Sequence, residues 1–372
     1  MKRLAVGAVL LAAGCGLFRS APPPPAPLQT IEKPIPVRVK WQANIGKANE
    51  AAFVPAVAGG SVFAAAEDGT VVRLEALSGR ELWRVKVPSR LSGGVGSDGR
   101  LVVVGSYQGE VIALEDDGRT RWRARVSSEV LAPPVVTDDL VVVRSADGRV
   151  FALDATDGRR RWLYQRAAPP LAVRSVAGLV VREGYVFVGF SGGKLVALAL
   201  NNGGLRWEGT VSLPRGTTEL ERVTDVIGVP WVGMREACAV AFQGRVACFD
   251  LGNGQLMWGR DMSSASGLGV DDRSVYVSED RGAVSALDRT TGTSLWRQDK
   301  LANRWLSAPL PLGAEVAVGD LQGNVHFLAS DSGMFVGRTT TDGSPIRTAP
   351  VAIADAFLVQ TSGGKLYALS TH

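Results

Sequence analysis

The stretch DGTVVRLEALSGRELW (68–83) contains the unit that decides the fold. A glycine precedes an apolar strand, a second glycine stands ten residues after the first, and a tryptophan follows four residues later. Units of this kind recur along the chain, with leading glycines at Gly69, Gly109, Gly148, Gly193, Gly244, Gly282, Gly323 and Gly364. A period near 40 residues with several short strands per unit is typical of a β-propeller.

Each unit is expected to supply four antiparallel strands. An apolar run such as LVVVGS (101–106) precedes the leading glycine, and a glycine turn joins it to the next strand as a hairpin. The tryptophan strand is the outermost one, and the innermost strand begins near a proline, where no ladder hydrogen bond is lost. These prolines are Pro55, Pro134, Pro230, Pro309 and Pro350.

The two ends of the chain are expected to close the ring. The last unit ends before its tryptophan strand, whereas VRVKW (37–41) belongs to no unit and fits that missing outer strand. The seventh unit departs from the pattern, because Gly337 stands where the tryptophan is expected. The sequence therefore predicts an all-β domain over residues 37–372, an eight-bladed β-propeller of four-stranded antiparallel blades, closed by an N-terminal strand that completes the last blade.

The N-terminus has the features of a targeting segment. Residues 1–14 place Lys2 and Arg3 before a short apolar run, which predicts a signal peptide rather than a membrane span of about 20 residues. Small residues directly before Cys15 resemble a bacterial lipoprotein signal, which implies cleavage there and lipidation of Cys15. Gly16 rather than aspartate after the cysteine favours the outer membrane. Residues 15–36 thus predict a lipidated cysteine on an extended, Pro-rich tether.

The composition argues against several kinds of site. The chain has 372 residues with 41 basic and 36 acidic side chains, and a net charge of +5 is too weak and dispersed for nucleic acid. Two histidines and three cysteines leave little material for a metal site, and His326 is expected to be a strand residue. Pairs such as Asp68-Gly69 are turn residues without the run of aspartates that calcium needs. We predict no catalytic, cofactor or metal site.

The repeat, read as Gly-x-Leu-x-Ala-Leu-Asp-x-x-Thr-Gly-x-x-x-Trp, resembles that of pyrroloquinoline-quinone (PQQ)-dependent dehydrogenases and related propellers. The lipoprotein signal, the eight units and the stretches ELERVTDV (219–226), LANRWLSAPL (301–310) and VGDLQGNVHF (318–327) resemble the BamB family of outer-membrane assembly lipoproteins. This resemblance implies a non-enzymatic scaffold, lipid-anchored at the periplasmic face of the outer membrane. It also implies binding to the POTRA domains of BamA, with nascent outer-membrane proteins as further partners.

The same resemblance implies a partner-binding surface built from two segments. Its candidate residues are Leu171, Val173, Arg174, Glu219, Arg222 and Asp225. A further acidic position of the family pattern is Ile227 here. The two widest intervals between leading glycines flank these segments, so we expect both insertions on one face of adjacent blades.

A ring of charge is also expected around the channel mouth. Arg174 and Asp225 each stand nineteen residues before their leading glycine, so they occupy equivalent places in neighbouring blades. The other charged residues at this offset are Glu50, Arg90, Glu129 and Arg304. Their largely alternating signs predict lateral ion pairs.

Three questions stay open at the level of sequence. A quinone-dependent dehydrogenase remains an alternative, although no calcium or quinone ligands are visible, and so does a carbohydrate- or peptide-binding propeller. The repeat tryptophans fit blade-to-blade packing better than sugar stacking, because each follows a glycine turn at a fixed spacing. Cys238 and Cys248 lie in one hairpin, but a two-residue Gln243-Gly244 turn would offset them by one position and leaves their disulfide undecided.

Overall fold

The computed structural model describes residues 23–167, 169, 171–173 and 177–371. These residues form eight four-stranded antiparallel sheets, which are the blades of one ring. No helix occurs within the described ranges, and so none there is long and apolar enough to cross a membrane. The prediction of an all-β, eight-bladed β-propeller is confirmed.

Each blade contains an inner strand, two middle strands and an outer strand. In chain order the strands are β1 (Arg38–Asn44), β2 (Ala56–Ala58), β3 (Ser61–Ala65), β4 (Thr70–Glu75), β5 (Glu81–Lys86), β6 (Gly96–Ser97), β7 (Val102–Gly105), β8 (Glu110–Leu114), β9 (Thr120–Arg125), β10 (Val135–Val136), β11 (Leu140–Arg144), β12 (Arg149–Asp154), β13 (Arg160–Gln165), β14 (Leu179–Arg182), β15 (Tyr185–Phe190), β16 (Lys194–Ala199), β17 (Leu205–Thr210), β18 (Val226–Val232), β19 (Glu236–Ala241), β20 (Arg245–Asp250), β21 (Leu256–Asp261), β22 (Gly267–Val270), β23 (Ser274–Ser278), β24 (Val284–Asp288), β25 (Ser294–Gln298), β26 (Leu310–Leu312), β27 (Glu315–Gly319), β28 (Asn324–Ala329), β29 (Phe335–Thr340), β30 (Val351–Ile353), β31 (Ala356–Gln360) and β32 (Lys365–Ser370). Strands β2 to β5 form blade one, each following group of four forms the next blade, and blade eight combines β30, β31 and β32 with β1.

Strand β1 closes the ring. It pairs antiparallel with β32, with Arg38 opposite Ser370 and Asn44 opposite Lys365. Blade eight is therefore held together by both ends of the domain, and the edge of β32 is covered. The prediction that the segment around VRVKW (37–41) completes the last blade is confirmed.

Seven joints between neighbouring blades are built in the same way. At the joint of blades two and three, the Trp122 indole N–H donates to Ala155 O at 2.9 Å, and a Cβ on Gly158 would lie 2.6 Å from the indole ring. Only glycine leaves room for the ring there. The seven pairs are Trp41–Gly79, Trp83–Gly118, Trp122–Gly158, Trp162–Gly203, Trp207–Gly254, Trp258–Gly292 and Trp296–Gly333. The predicted packing role of the repeat tryptophans is confirmed.

The joint between blades seven and eight is different. Gly337 replaces the tryptophan, and Ile35 packs on it so closely that a Cβ on Gly337 would lie 2.7 Å from Ile35 Cγ1. The Ile35 N–H also donates to Val336 O at 2.8 Å. Ile35 belongs to residues 24–37, which we call the strap. Part of the segment that the sequence predicts as a tether is thus bound to the propeller.

A disulfide links the two middle strands of blade five. Cys238 and Cys248 are bonded and stand directly opposite each other in the ladder. Three residues, 242–244, separate the two strands, and Gln243 adopts a positive φ of 47°. The expected two-residue turn was wrong, and the extra residue removes the expected offset between the cysteines.

The prolines mark the inner strands with one exception. Pro55, Pro134, Pro309 and Pro350 each directly precede an inner strand, as predicted. Pro230 instead lies inside β18, which corrects that prediction. The register of β18 against β19 shifts between Ile227 and Trp231, so the missing N–H of Pro230 falls in an irregular stretch of the ladder.

Candidate functional site

One face of the propeller carries the longest loops. The loops that join each outer strand to the next inner strand emerge beside the turns between the two middle strands, and we call this side the mouth face. The first insertion, residues 166–178, connects β13 to β14, and the second, residues 211–225, connects β17 to β18. The predicted placement of both insertions on one face of adjacent blades is confirmed.

Asp225 joins the two insertions. It is only 2% exposed, and its two carboxylate oxygens accept hydrogen bonds from the Val173 N–H and, at 3.0 Å, from the Gly192 N–H. Its backbone also forms a β-bridge with Ser191. Asp225 was predicted on the partner surface, but it lies beneath that surface and fixes Val173 of the first insertion.

The insertions expose apolar side chains. Leu171 is 45% exposed on the first insertion, and Leu220 is 73% exposed on the second, where Glu219 and Arg222 are exposed on either side of it. Apolar anchors beside an arginine are typical of protein-binding hot spots. The predicted partner residue Arg174 and the predicted lipidation site Cys15 lie outside the described residues.

The tip of the second insertion is organised by Glu221. Its Oε2 accepts the backbone N–H groups of Thr218 and Thr217, at 3.1 and 2.9 Å. These hydrogen bonds lower the pKa of Glu221 to about 2, so that its carboxylate stays charged. The turn that presents Leu220 is therefore held by its own side chains.

Sequence reasoning missed a half-buried cation under the first insertion. Arg144 donates from Nη1 to Ala177 O at 3.2 Å, and its guanidinium lies 5.9 Å from the centre of the Phe190 ring. Burial lowers the pKa of Arg144 to about 10, and the nearby charges of Asp225 and Asp147 oppose this shift. The available signal was the single arginine at the end of the apolar strand LVVVRS (140–145).

Two arginines of the predicted mouth ring pair elsewhere. Arg90 pairs with the buried Glu67 of blade one and lies 4.8 Å from the centre of the Tyr107 ring, while Arg304 is itself buried. The expectation of lateral ion pairs is therefore wrong for Arg90 and Arg304. Of the remaining predicted ring residues, Glu50 is exposed, and Glu129 is half-buried with its carboxylate accepting the Ser128 hydroxyl.

Arg304 turns inward into a charged network in blade seven. Its Nη1 donates to Asp320 at 2.7 Å and to Gln322 at 2.8 Å. His326 Nε2 lies 2.9 Å from Asp320, and Arg338 Nε donates to His326 Nδ1 at 3.2 Å. Because a carboxylate only accepts and a guanidinium only donates, these contacts define a neutral imidazole with its proton on Nε2.

The protonation states in this network follow from burial and its partners. Burial lowers the pKa of His326, and the cations Arg338 and Arg304 lower it further against the opposing effect of Asp320. Burial alone would raise the pKa of Asp320, but hydrogen bonds from His326 and Asn324 outweigh it and hold that pKa below its usual value. His326 is thus a structural strand residue, as predicted.

The network extends to the strap. Arg304 Nε donates to Ala26 O at 2.9 Å, and the Ala26 N–H donates to Ala302 O at 2.9 Å. Asn303 Nδ2 donates to Pro24 O at 3.2 Å. The strap is therefore fastened to a loop of the mouth face at one end, while its other end enters β1.

The described residues contain no group of three or more histidine, cysteine, aspartate or glutamate side chains that could hold a metal ion. A groove on the mouth face has a volume of about 1000 Å³, and charged side chains form part of its lining. Lys86 and Asp68 pair there at 2.9 Å, and Arg90 pairs with Glu67. This arrangement offers mutually neutralised surface charges rather than a nucleophile beside a base.

Comparison of the sequence with known proteins gives one consistent match. A family model described as "Outer membrane protein assembly factor BamB" matches residues 37–89, 67–298 and 265–372. The chain is 44% identical to the Outer membrane protein assembly factor BamB of Bordetella pertussis, over 96% of this chain and 94% of that protein. It is 38% identical to the protein of the same name from Pseudomonas aeruginosa, over 99% and 98% of the two chains.

Solved structures give the same answer for the fold. The crystal structure of BamB from Moraxella catarrhalis matches with a TM-score of 0.82 at 28% identity, over 90% of this chain and 99% of that one. The quinohemoprotein alcohol dehydrogenase of Comamonas testosteroni matches with a TM-score of 0.68 at 13% identity, over 90% and 76% of the two chains. At that identity the dehydrogenase shares the propeller fold alone.

Proposed function

The chain belongs to the BamB family of outer membrane protein assembly factors, and we propose that it docks a periplasmic domain of BamA through its two insertions. The observation that carries this proposal is the coupling of the insertions by Asp225. One buried carboxylate ties the first insertion to the second, while Leu171 and Leu220 remain exposed on them. A surface preorganised in this way loses little conformational entropy when a partner binds.

Each residue of the docking surface has its own role. Leu171 and Leu220 act as the apolar anchors, and Arg222 and Glu219 supply charge beside Leu220. Asp225 is a positioning residue, because it holds Val173 and does not face solvent. Arg174, which follows Val173 directly in the sequence, is the further charged residue that we propose contacts the partner.

The anchor and the location complete the proposal. Residues 1–14 are removed as a signal peptide, Cys15 carries the lipid, and the propeller works at the periplasmic face of the outer membrane. Association with the outer membrane and with proteins that insert into it agrees with the names of the relatives. The chain contributes no catalytic step, and its effect on nascent outer-membrane proteins comes from holding BamA.

The test is recovery of BamA with affinity-purified variants from solubilised outer membranes. The double variant Leu171→Ser with Leu220→Ser removes both anchors, and hot-spot anchors of this kind predict a loss of about tenfold or more in affinity. The matched control is Leu77→Ser, which replaces a leucine that is 78% exposed in the turn between β4 and β5 on the opposite face. Unchanged recovery with the double variant would place the docking surface elsewhere.

A second variant separates positioning from contact. Asp225→Asn keeps the shape of the side chain but turns one acceptor oxygen into a donor, so that only one of the N–H groups of Val173 and Gly192 keeps its acceptor and the other faces a donor. We expect BamA recovery to fall while the protein stays folded, and hydrogen exchange at the Val173 amide to become faster. A fall in BamA recovery without faster exchange at the Val173 amide would contradict the positioning role.

A further inference from the structure

The strap determines where the chain leaves the propeller. Strand β1 begins at Arg38, which is paired with Ser370 at the end of β32 and therefore lies at the face opposite the mouth. An unbound N-terminal segment would leave from that opposite face. Instead, the strap returns along blade seven and is fastened on the mouth face by Ala302, Asn303 and Arg304.

Three hydrogen bonds hold the strap at the mouth face. Two of them join Ala26 to Ala302 and Arg304, and the third joins Pro24 to Asn303. The Arg304 guanidinium also donates to Asp320, which fixes its position. The hydrogen bond to Ala26 therefore comes from an ordered side chain that is only 5% exposed. Because polyproline segments are stiff and already extended, ordering the strap costs little entropy.

The remaining chain is short. If Cys15 carries the lipid, nine Cα-to-Cα steps separate the anchor from Pro24, and a fully extended chain of that length reaches about 32 Å. A strap released up to β1 would leave 23 such steps between Cys15 and Arg38, which reach about 80 Å from the opposite face. Docking of the strap therefore shortens the free tether between Cys15 and the propeller. It also moves the point where this tether leaves the propeller from the opposite face to the mouth face.

We propose that the docked strap turns the mouth face towards the lipid surface of the membrane. This inference rests on the lipid anchor of the proposed function and adds to it the orientation of the propeller. A gap of about 30 Å is close to the diameter of a small domain. A partner domain bound to the insertions, two blades away from the strap, then lies between the propeller and the membrane.

The exposed side chains of the mouth face agree with this orientation. Trp305 directly follows the three residues that bind the strap, is 61% exposed and has a left-handed backbone with a φ of 52°. A bulky residue is rarely found in that conformation, which here sends the indole outward while Arg304 and Leu306 on either side are buried. The indole therefore faces the gap in which we place the membrane and the partner.

Energy transfer to the membrane tests the orientation. The full-length lipidated protein is bound to phosphatidylethanolamine–phosphatidylglycerol vesicles that contain an acceptor-labelled lipid. A donor dye is attached to the thiol that one of two substitutions introduces. Lys300→Cys lies in the strap-binding loop of the mouth face, and Met334→Cys lies in the β28–β29 turn of the opposite face. The dye reacts only with the introduced thiol, because Cys238 and Cys248 are disulfide-bonded and buried and Cys15 is lipidated.

The proposal predicts more transfer from position 300 than from position 334. The variant Ala26→Pro with Asn303→Asp removes two of the three hydrogen bonds that hold the strap at the mouth face. It leaves the buried Arg304–Asp320 pair in place, and aspartate tolerates the positive φ of Asn303. In this variant we expect the ratio of the two signals to fall towards or below one.

Each alternative outcome overturns a different part. Equal energy transfer from positions 300 and 334, in vesicle-bound protein with an unmodified strap, overturns the proposed orientation. A ratio that the strap variant leaves unchanged overturns the role of the strap. Failure of the protein to sediment with vesicles overturns the lipid anchor, and the orientation with it. A preference for position 300 that arises only after BamA is added shows that the partner, not the strap, orients the propeller.

Discussion

The seven tryptophan joints and the strap joint solve the same packing problem in different ways. At each tryptophan joint an indole from one blade covers a glycine of the next blade, and its N–H donates to a backbone carbonyl of the turn that contains this glycine, as Trp122 does to Ala155 O. At the joint of blades seven and eight the repeat offers Gly337, and Ile35 from outside the repeat fills the space. The seven regular joints only hold the ring together, whereas the irregular one also ties the N-terminal segment to it.

Blade seven shows the same contrast in its interior. The position of His326 is occupied by apolar residues in other units, such as Val72, Phe151 and Val196. Here the imidazole links Asp320 to Arg338, and Asp320 holds Arg304, which holds the strap. Departures from the repeat thus cluster where the propeller binds its own N-terminal segment. The two insertions are departures of another kind, in which longer loops precede blades four and five.

The largest effect on the free energy of unfolding is expected at one of the seven tryptophan joints. Trp122→Ala removes a buried indole and its hydrogen bond to Ala155 O, and should lower the free energy of unfolding by about 3–5 kcal/mol. Denaturant unfolding of the purified protein measures it. The matched control is Trp305→Ala, which removes an exposed indole from a strained backbone and should change stability by less than about 0.5 kcal/mol. Equal losses in both variants would contradict the packing role of the repeat tryptophans.

A smaller effect is expected at the strap joint. Ile35→Ala trims a half-buried side chain and should cost about 1–2 kcal/mol, whereas Leu28→Ala, at an exposed position of the same strap, should cost almost nothing. The direct contact is tested by a double-mutant cycle in denaturant unfolding. Gly337→Ala should destabilise the native protein but be tolerated after Ile35→Ala, because its Cβ would otherwise lie 2.7 Å from Ile35 Cγ1. Additive losses would show that the two residues do not touch.

The smallest effect is a dependence on pH. Burial depresses the pKa of His326, so the unfolded chain takes up a proton below the ordinary value of 6.5 more readily than the folded protein does. Stability should therefore fall as the pH is lowered through that value, by at most about 1.4 kcal/mol per pH unit. His326→Gln should flatten the dependence between about pH 7 and pH 5 in denaturant unfolding. An unchanged slope would assign the pH dependence to other groups.

The repeat predicts the architecture but not the direction of individual side chains. Spacing located all eight blades, the closing strand and the insertions, because each depends on hydrophobic period and glycine turns. It also put Arg90 and Arg304 in equivalent positions, yet Arg304 turns inward. Left-handed backbones at Asn303 and Trp305 reorient that loop, and the buried Asp320 receives the guanidinium. Such reorientation depends on contacts from distant parts of the chain.

Asp225 shows the same limit in the candidate site. Its position in the second insertion was predictable, and its burial was not, since burial results from the way the first insertion folds over it. Docking of the strap was also unpredictable, because a Pro-rich segment has no apolar period. The single substitution of Gly337 for tryptophan was the visible signal that another segment fills that joint.

Photo-crosslinking in intact cells tests the docking surface most directly. A photoreactive amino acid is placed at Leu220 on the second insertion, at Leu171 on the first, or at Leu77 on the opposite face, three positions with exposed side chains. The account predicts adducts with BamA from positions 220 and 171 and none from position 77. Adducts from position 77 together with none from the two insertions would contradict it.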